Sequence, residues 1–148
     1  QERELTQLQQ KLRHAVYLGG LSVRETTPGV AYFLCVSAME ALFQVDTSKY
    51  VSPSIAQQIV EAFCYLIADV AKRRDVFEQM RSFYGKRSAF AHGGKSEVTV
   101  EEVQLVRAYL RAAILKMIDD PILSSLRSLE DVAARVRDIK FGKKEAVK

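Results

Sequence analysis

Arg87 and His92 stand five positions apart in the run FYGKRSAFAHGGK, residues 83–95. A guanidinium presents a planar fork of donors to an oxyanion. An imidazole takes and gives protons near neutral pH. Positions 76, 80, 83, 87 and 90 step by four, three, four and three and read Val, Met, Phe, Arg, Phe, so an arginine occupies a place in an apolar stripe where a hydrophobe is expected. Burying a guanidinium without partners is costly, so Arg87 must meet a carboxylate, a wet cleft or an anionic ligand. Glu40, in SAMEAL within the most apolar segment of the chain, is the best internal partner, and a buried Arg87–Glu40 pair is the purely structural reading of both residues.

His92 falls at a helix end closed by Gly93 and Gly94, where the helix dipole and unpaired carbonyls favour imidazolium. It either serves as an acid/base group or simply caps that helix. On a straight helix the two side chains lie about 140° apart, so they converge only if the last turn distorts or the cleft lies at the helix end. Tyr84, three residues before Arg87, either orients a phosphate and stacks on a base or packs as a core aromatic with its hydroxyl at the surface. Ser88 donates a hydrogen bond into the same cleft or back to its own helix.

The elements that must position these residues are helical almost throughout. Leu5, Leu8, Leu12 and Ala15 form an amphipathic stripe over 3–18, which Gly19 and Gly20 weaken. Thr27–Pro28 opens a segment, GVAYFLCVSAMEALFQ, apolar on nearly every side and therefore central. Residues 46–52 read as a loop. Ser52–Pro53 starts a helix to about Ala71, and KRRD marks a break before a helix over about 75–91. Thr99 with Glu102 and Ser128 with Asp131 are capping boxes for a helix to about Ile118 and another over 129–140, with a turn or two after Asp120–Pro121 between them. Residues 141–148 read as a frayed basic tail. The expected fold is all-α, a single-domain helical bundle over 1–148 with four core helices plus short extra ones.

The chain has 148 residues and a net charge of +4, but the charge is uneven. Residues 72–95 hold seven basic side chains against two acidic ones, which marks Lys72, Arg73, Arg74, Lys86 and Lys95 as candidate nucleic-acid contacts and an anionic partner as the expectation. The alternative is a solubilising face. No apolar run is long enough to span a bilayer, which argues against a membrane partner. The start, QERELTQLQQKLRH, is polar, unlike a secretory signal, and its first residue is not Met, as in a piece cut from a longer protein. Cys35 and Cys64 each lie in an apolar helical stretch, which suggests buried free thiols in a reducing, cytoplasmic setting. With two histidines and no close cysteine pair, neither a metal nor a cofactor is expected.

The pattern Tyr84-x-x-Arg87-Ser88-x-x-x-His92-Gly93, with AMEALF at 38–43 upstream, resembles the signature of HEPN domains, above all their Apea-like branch. The resemblance covers roughly residues 5–118. It implies a metal-independent ribonuclease working as a homodimer, with two Arg/His sets meeting across the interface, in a defence or toxin system. Carried over, His92 is the general acid or base at a ribose 2′-hydroxyl and Arg87 holds the scissile phosphate. Tyr84, Ser88 and Glu40 support them. The implied products are a 2′,3′-cyclic phosphate and a 5′-hydroxyl. The residue after the arginine is Ser88, where active HEPN nucleases commonly carry Asn, Asp or His. Some relatives of that kind are non-catalytic modules that dimerise or dock other domains of the same longer chain, and this is the competing expectation.

Overall fold

The computed structural model describes residues 4–45, 54–93 and 97–143, and among them every regular element is a helix. Helix α1 spans Gln7–Arg24. Its capping box joins the Thr6 hydroxyl to the Gln9 N–H at 3.2 Å and the Gln9 side-chain oxygen to the Thr6 N–H at 3.0 Å. The helix runs past Gly19 and Gly20, where the sequence predicts its end. Each glycine costs about 1 kcal/mol of helix propensity relative to Ala. Tertiary packing outweighs this, because Gly19 lets α1 approach the next layer: a Cβ there would lie 3.3 Å from Leu110 Cδ2.

Helix α2, Pro28–Phe43, buries residues on nearly all sides and packs against α1 and every longer helix that follows. Pro28 fills the first helical position, but Thr27 does not cap with its hydroxyl. The Glu25 carboxylate instead accepts the Thr27 N–H at 2.8 Å. Helix α3 spans Ile55–Ala62 and is capped by Ser54, whose hydroxyl accepts the Gln57 N–H at 3.2 Å. The predicted loop at 46–52 and start at Ser52–Pro53 lie outside the described residues. The predicted continuation to Ala71 is replaced by a break. The chain widens into a π turn over Phe63–Ile67, in which the Ala68 N–H reaches the Phe63 carbonyl at 2.9 Å, and it leaves the helix at Ala68. A short 3₁₀ turn, Val70–Lys72, leads into α4, Arg73–Ala91.

Helix α5 spans Val100–Asp119 behind the Thr99/Glu102 capping box. Asp120 then caps a 3₁₀ turn, Leu123–Ser125, accepting the N–H groups of Ile122 and Leu123 at 2.9 and 3.0 Å. Helix α6, Leu129–Lys140, starts at the Ser128/Asp131 box. Of the predicted tail, Phe141, Gly142 and Lys143 are tied back to α6: their N–H groups reach the carbonyls of Arg137, Ile139 and Asp138 at 3.0, 3.1 and 2.9 Å. The rest lies outside the described residues. The ends of the bundle are stitched together, since Leu8 N–H bonds the Arg127 carbonyl at 3.0 Å and Leu129 N–H bonds Gln7 Oε1 at 3.0 Å.

An aromatic chain links the layers. Phe43 meets Phe63 at 5.5 Å between ring centroids, Phe63 meets Tyr109 at 6.2 Å, Tyr109 meets Phe83 at 5.1 Å, and Phe83 meets Tyr32 at 6.0 Å. Cys35 and Cys64 are free and buried. No helix of the described residues is long and apolar enough to cross a membrane.

The cap of α5 is also an acid-sensitive point. A hydrogen bond from Lys86, then the Thr99 N–H, holds the Glu102 carboxyl below the usual range. A depressed folded-state pKa contributes stability above the ordinary glutamate pKa, and that contribution is lost as pH falls through the folded value. Acid titration monitored by circular dichroism should therefore show Glu102→Gln already weakened at neutral pH, with a shallower loss on acidification than wild type. Identical acid profiles for the two proteins would refute this role.

Candidate functional site

Helices α2 and α4 run antiparallel and interlock along one seam. At one end Gly29 faces Phe90 so closely that a Cβ on Gly29 would fall 2.6 Å from Phe90 Cε2. One turn further along α2, the Phe33 ring lies 6.1 Å from that of Phe90 and sits under the Arg87 guanidinium, 5.0 Å from its centroid. Two turns further, Glu40 receives Arg87 and Tyr84 together. Arg87 Nη2 is 3.2 Å from Glu40 Oε1 and 3.4 Å from Oε2, and the Tyr84 hydroxyl donates to Oε1 at 3.0 Å. The arginine in the apolar stripe thus meets the glutamate of the apolar helix.

This cluster is neither sealed nor open. The Arg87 side chain is 29% exposed and that of Glu40 17%. Arg87 Nε is buried and makes no hydrogen bond among the described residues. Burial, followed by the Glu40 charge, raises the Tyr84 pKa, so its phenol stays a proton donor to the carboxylate.

His92 is elsewhere. It is the exposed C-cap of α4, with its N–H on the Ser88 carbonyl at 3.1 Å, and Gly93 follows at φ 71° with its own N–H on the Phe90 carbonyl at 3.2 Å. That left-handed residue closes the helix as glycine allows. Because α4 stays regular to Ala91, the 140° between positions 87 and 92 is not relieved by an unwound last turn. The companions of His92 are different: at 100° per residue, positions 74, 81, 88 and 92 fall within about 40° of one another, and all four are exposed. Ser88 accordingly faces outward with His92 rather than inward with Arg87.

The predicted basic set divides. Lys72 and Arg74 are exposed. Arg73 is used within the fold: its Nε donates to the Cys64 carbonyl at 3.0 Å, and its guanidinium lies 5.0 Å from the centroid of Tyr65. That bond satisfies a carbonyl left over where the π turn ends. Lys86 is paired with Glu102. Lys95 lies outside the described residues.

A second arginine went unmarked in the sequence. Arg107 flanks the buried stripe of α5, next to Val106 and between Val103 and Leu110 along the chain. Its Nε donates to the hydroxyl of fully buried Ser22 at 3.2 Å and its Nη2 to the Ser22 carbonyl, while the Cys35 thiol donates to the same hydroxyl at 3.2 Å. Ser22 in turn donates to the Gly19 carbonyl at 2.9 Å. The knot joins α1, α2 and α5. The cue that singled out Arg87 does not reach Arg107, because Val103, Val106, Leu110, Ala113 and Met117 form an unbroken apolar stripe at spacings of three and four. Burial pushes both the Cys35 and the Cys64 thiols up, which disfavours thiolate chemistry at either. No cluster of three or more His, Cys, Asp or Glu suited to a metal occurs among the described residues.

Comparison with known proteins finds no matching family model, no matching curated protein and no matching solved structure.

Proposed function

We propose that this helical bundle is a HEPN-like domain that binds RNA and cleaves it by metal-independent acid/base chemistry. The observation that supports this reading most is the Arg87 guanidinium. It is held by Glu40 and Phe33 with part of its side chain open to solvent, five residues before an exposed histidine at the end of the same helix. In the reaction, His92 takes the proton of a ribose 2′-hydroxyl, and that oxygen attacks the adjacent phosphorus. The 5′-oxygen leaves and takes a proton from water, giving a 2′,3′-cyclic phosphate and a 5′-hydroxyl. Arg87 meets the charge that builds on the phosphate oxygens. Since the two residues diverge on one helix, a second copy of the chain completes each site.

The test is end-labelled RNA incubated in EDTA with wild type, Arg87→Lys and His92→Ala, alongside sedimentation to read the oligomeric state. The expected result is cleavage by a wild-type dimer to cyclic-phosphate ends, lost in His92→Ala and reduced in Arg87→Lys. Cleavage that His92→Ala retains, or that requires a metal, would overturn the mechanism. One observation favours a second reading. Arg87 is already engaged by a carboxylate that also binds Tyr84, as suits a non-catalytic module in which the triad only fixes α4 on α2. A folded wild type as inert as its variants would select that module.

A further inference from the structure

We infer that the cleft between α3 and α4 is a seat for single-stranded RNA, with Arg74 and Arg81 on its phosphates and Phe77 under a base. The inference rests on the reading that RNA is the partner, but it concerns binding alone.

Two adjoining hollows make up the cleft, with volumes of about 350 and 410 Å³. Gln57 and Phe77 line both. The π turn of Phe63–Ile67 shapes its floor, turning Cys64 and Tyr65 toward it. Along its α4 wall, positions 74, 77, 81 and 84 read Arg, Phe, Arg, Tyr at spacings of three, four and three, so cation and aromatic ring alternate on one face. The Arg81 guanidinium lies 5.7 Å from the centroid of Phe77, and Arg81 and Arg74 are both exposed. Arg74 makes no ion pair among the described residues. The only carboxylate lining the cleft among the described residues, Glu61, is occupied: Lys140 Nζ lies 2.7 Å and Gln57 Nε2 2.6 Å from its Oε1. The cleft therefore presents uncompensated positive charge.

Positive charge that tracks a backbone, interleaved with rings on which bases stack, is what sequence-tolerant binding of single strands requires. A duplex keeps its bases stacked inside and cannot use Phe77. The outer face of α4 continues from Arg74 and Arg81 through Ser88 to His92, so a strand seated in the cleft runs along the helix toward the proposed acid/base group. Arg81, rather than Arg87, is then the cation on the histidine's own face.

The test is fluorescence anisotropy of a labelled short oligouridine in EDTA at low salt, with inorganic polyphosphate, duplex RNA and polyglutamate as competitors. Arg74→Ala and Arg81→Ala should each weaken binding roughly tenfold and lower the salt slope by about 0.7. Phe77→Leu, which keeps an apolar packing group, should weaken oligouridine binding while leaving polyphosphate competition unchanged. Cleavage is read separately, in wild type beside His92→Ala: a wild type that binds without cleaving removes the nuclease reading and leaves the cleft. Wild-type affinity in the folded Arg74→Ala/Arg81→Ala double variant would overturn the cleft itself. So would equal competition by duplex, or displacement by polyglutamate as readily as by RNA, which would assign the cleft to an acidic protein segment.

Discussion

Phe83→Ala should destabilise the protein by about 3–5 kcal/mol, the range for deleting a buried aromatic ring whose site cannot collapse. Phe83 is 2% exposed and stands edge-on to two other rings. Tyr32 of α2 meets it at an interplanar angle of 81° and Tyr109 of α5 at 89°. These edge-to-face contacts add to the transfer term, and both partners are themselves anchored in the core. The Tyr32 hydroxyl also donates to the Phe83 carbonyl at 3.4 Å, a bond to backbone that the substitution leaves in place. The loss should therefore come from the cavity and the ring contacts. Urea unfolding read by circular dichroism checks it, with Phe83→Leu expected to recover more than half of the loss. A Phe83→Ala protein within about 0.5 kcal/mol of wild type, the effect of an ordinary surface change, would mean that α4 is not pinned through this ring.

Arg87→Ala is expected to cost about 2–3 kcal/mol. Removing one partner of a buried pair costs about 3–5 kcal/mol because the remaining charge is stranded. Here the arginine is 29% exposed and the glutamate 17%, and solvent screening lowers the figure. The Tyr84 hydroxyl still donates to the stranded carboxylate, which lowers it further. Adding Glu40→Gln to Arg87→Ala should restore most of the stability, because the uncompensated charge is then gone. A double-mutant cycle isolates the coupling. Equal losses with and without Glu40→Gln would show that Arg87 acts through its packing on Phe33 instead. A folded, undestabilised Arg87→Ala that has lost RNA cleavage would make the guanidinium a ligand-facing group first and a structural one second.

The contrast between Arg87 and His92 shows where sequence reading succeeds and where it stops. The arginine was legible because it violates a pattern. A charge within Val76, Met80, Phe83 and Phe90 demands a partner, and the only acid inside the most apolar helix was Glu40. His92 violates nothing at a helix end, so its own position carried no equivalent demand. The helical wheel placed it 140° from Arg87, but whether the last turn would unwind was undecidable until α4 proved regular to Ala91. Arg107 breaks no such pattern, since the stripe of Val103, Val106 and Leu110 beside it is intact and its partner, Ser22, is neutral.

Local chemistry written in a few consecutive residues was determined by the sequence alone: the all-helical class, the capping boxes at Thr99 and Ser128, Pro28 at a helix start, Gly93 at a helix end and the buried character of α2. These depend on side chain-to-backbone bonds or on composition, both short-range. Tertiary structure decided the rest. It carried α1 through Gly19 and Gly20, opened the π turn after Ala62, drew Arg73 and Lys86 into bonds of their own and left Arg74 and Arg81 facing a cleft. Three of these outcomes depend on a group from another element: Leu110 against a glycine, Cys64 offering a carbonyl, Glu102 reaching a lysine. Unlike the Arg87–Glu40 pair, these contacts break no periodic pattern in the chain, so they could be seen only once the helices were packed.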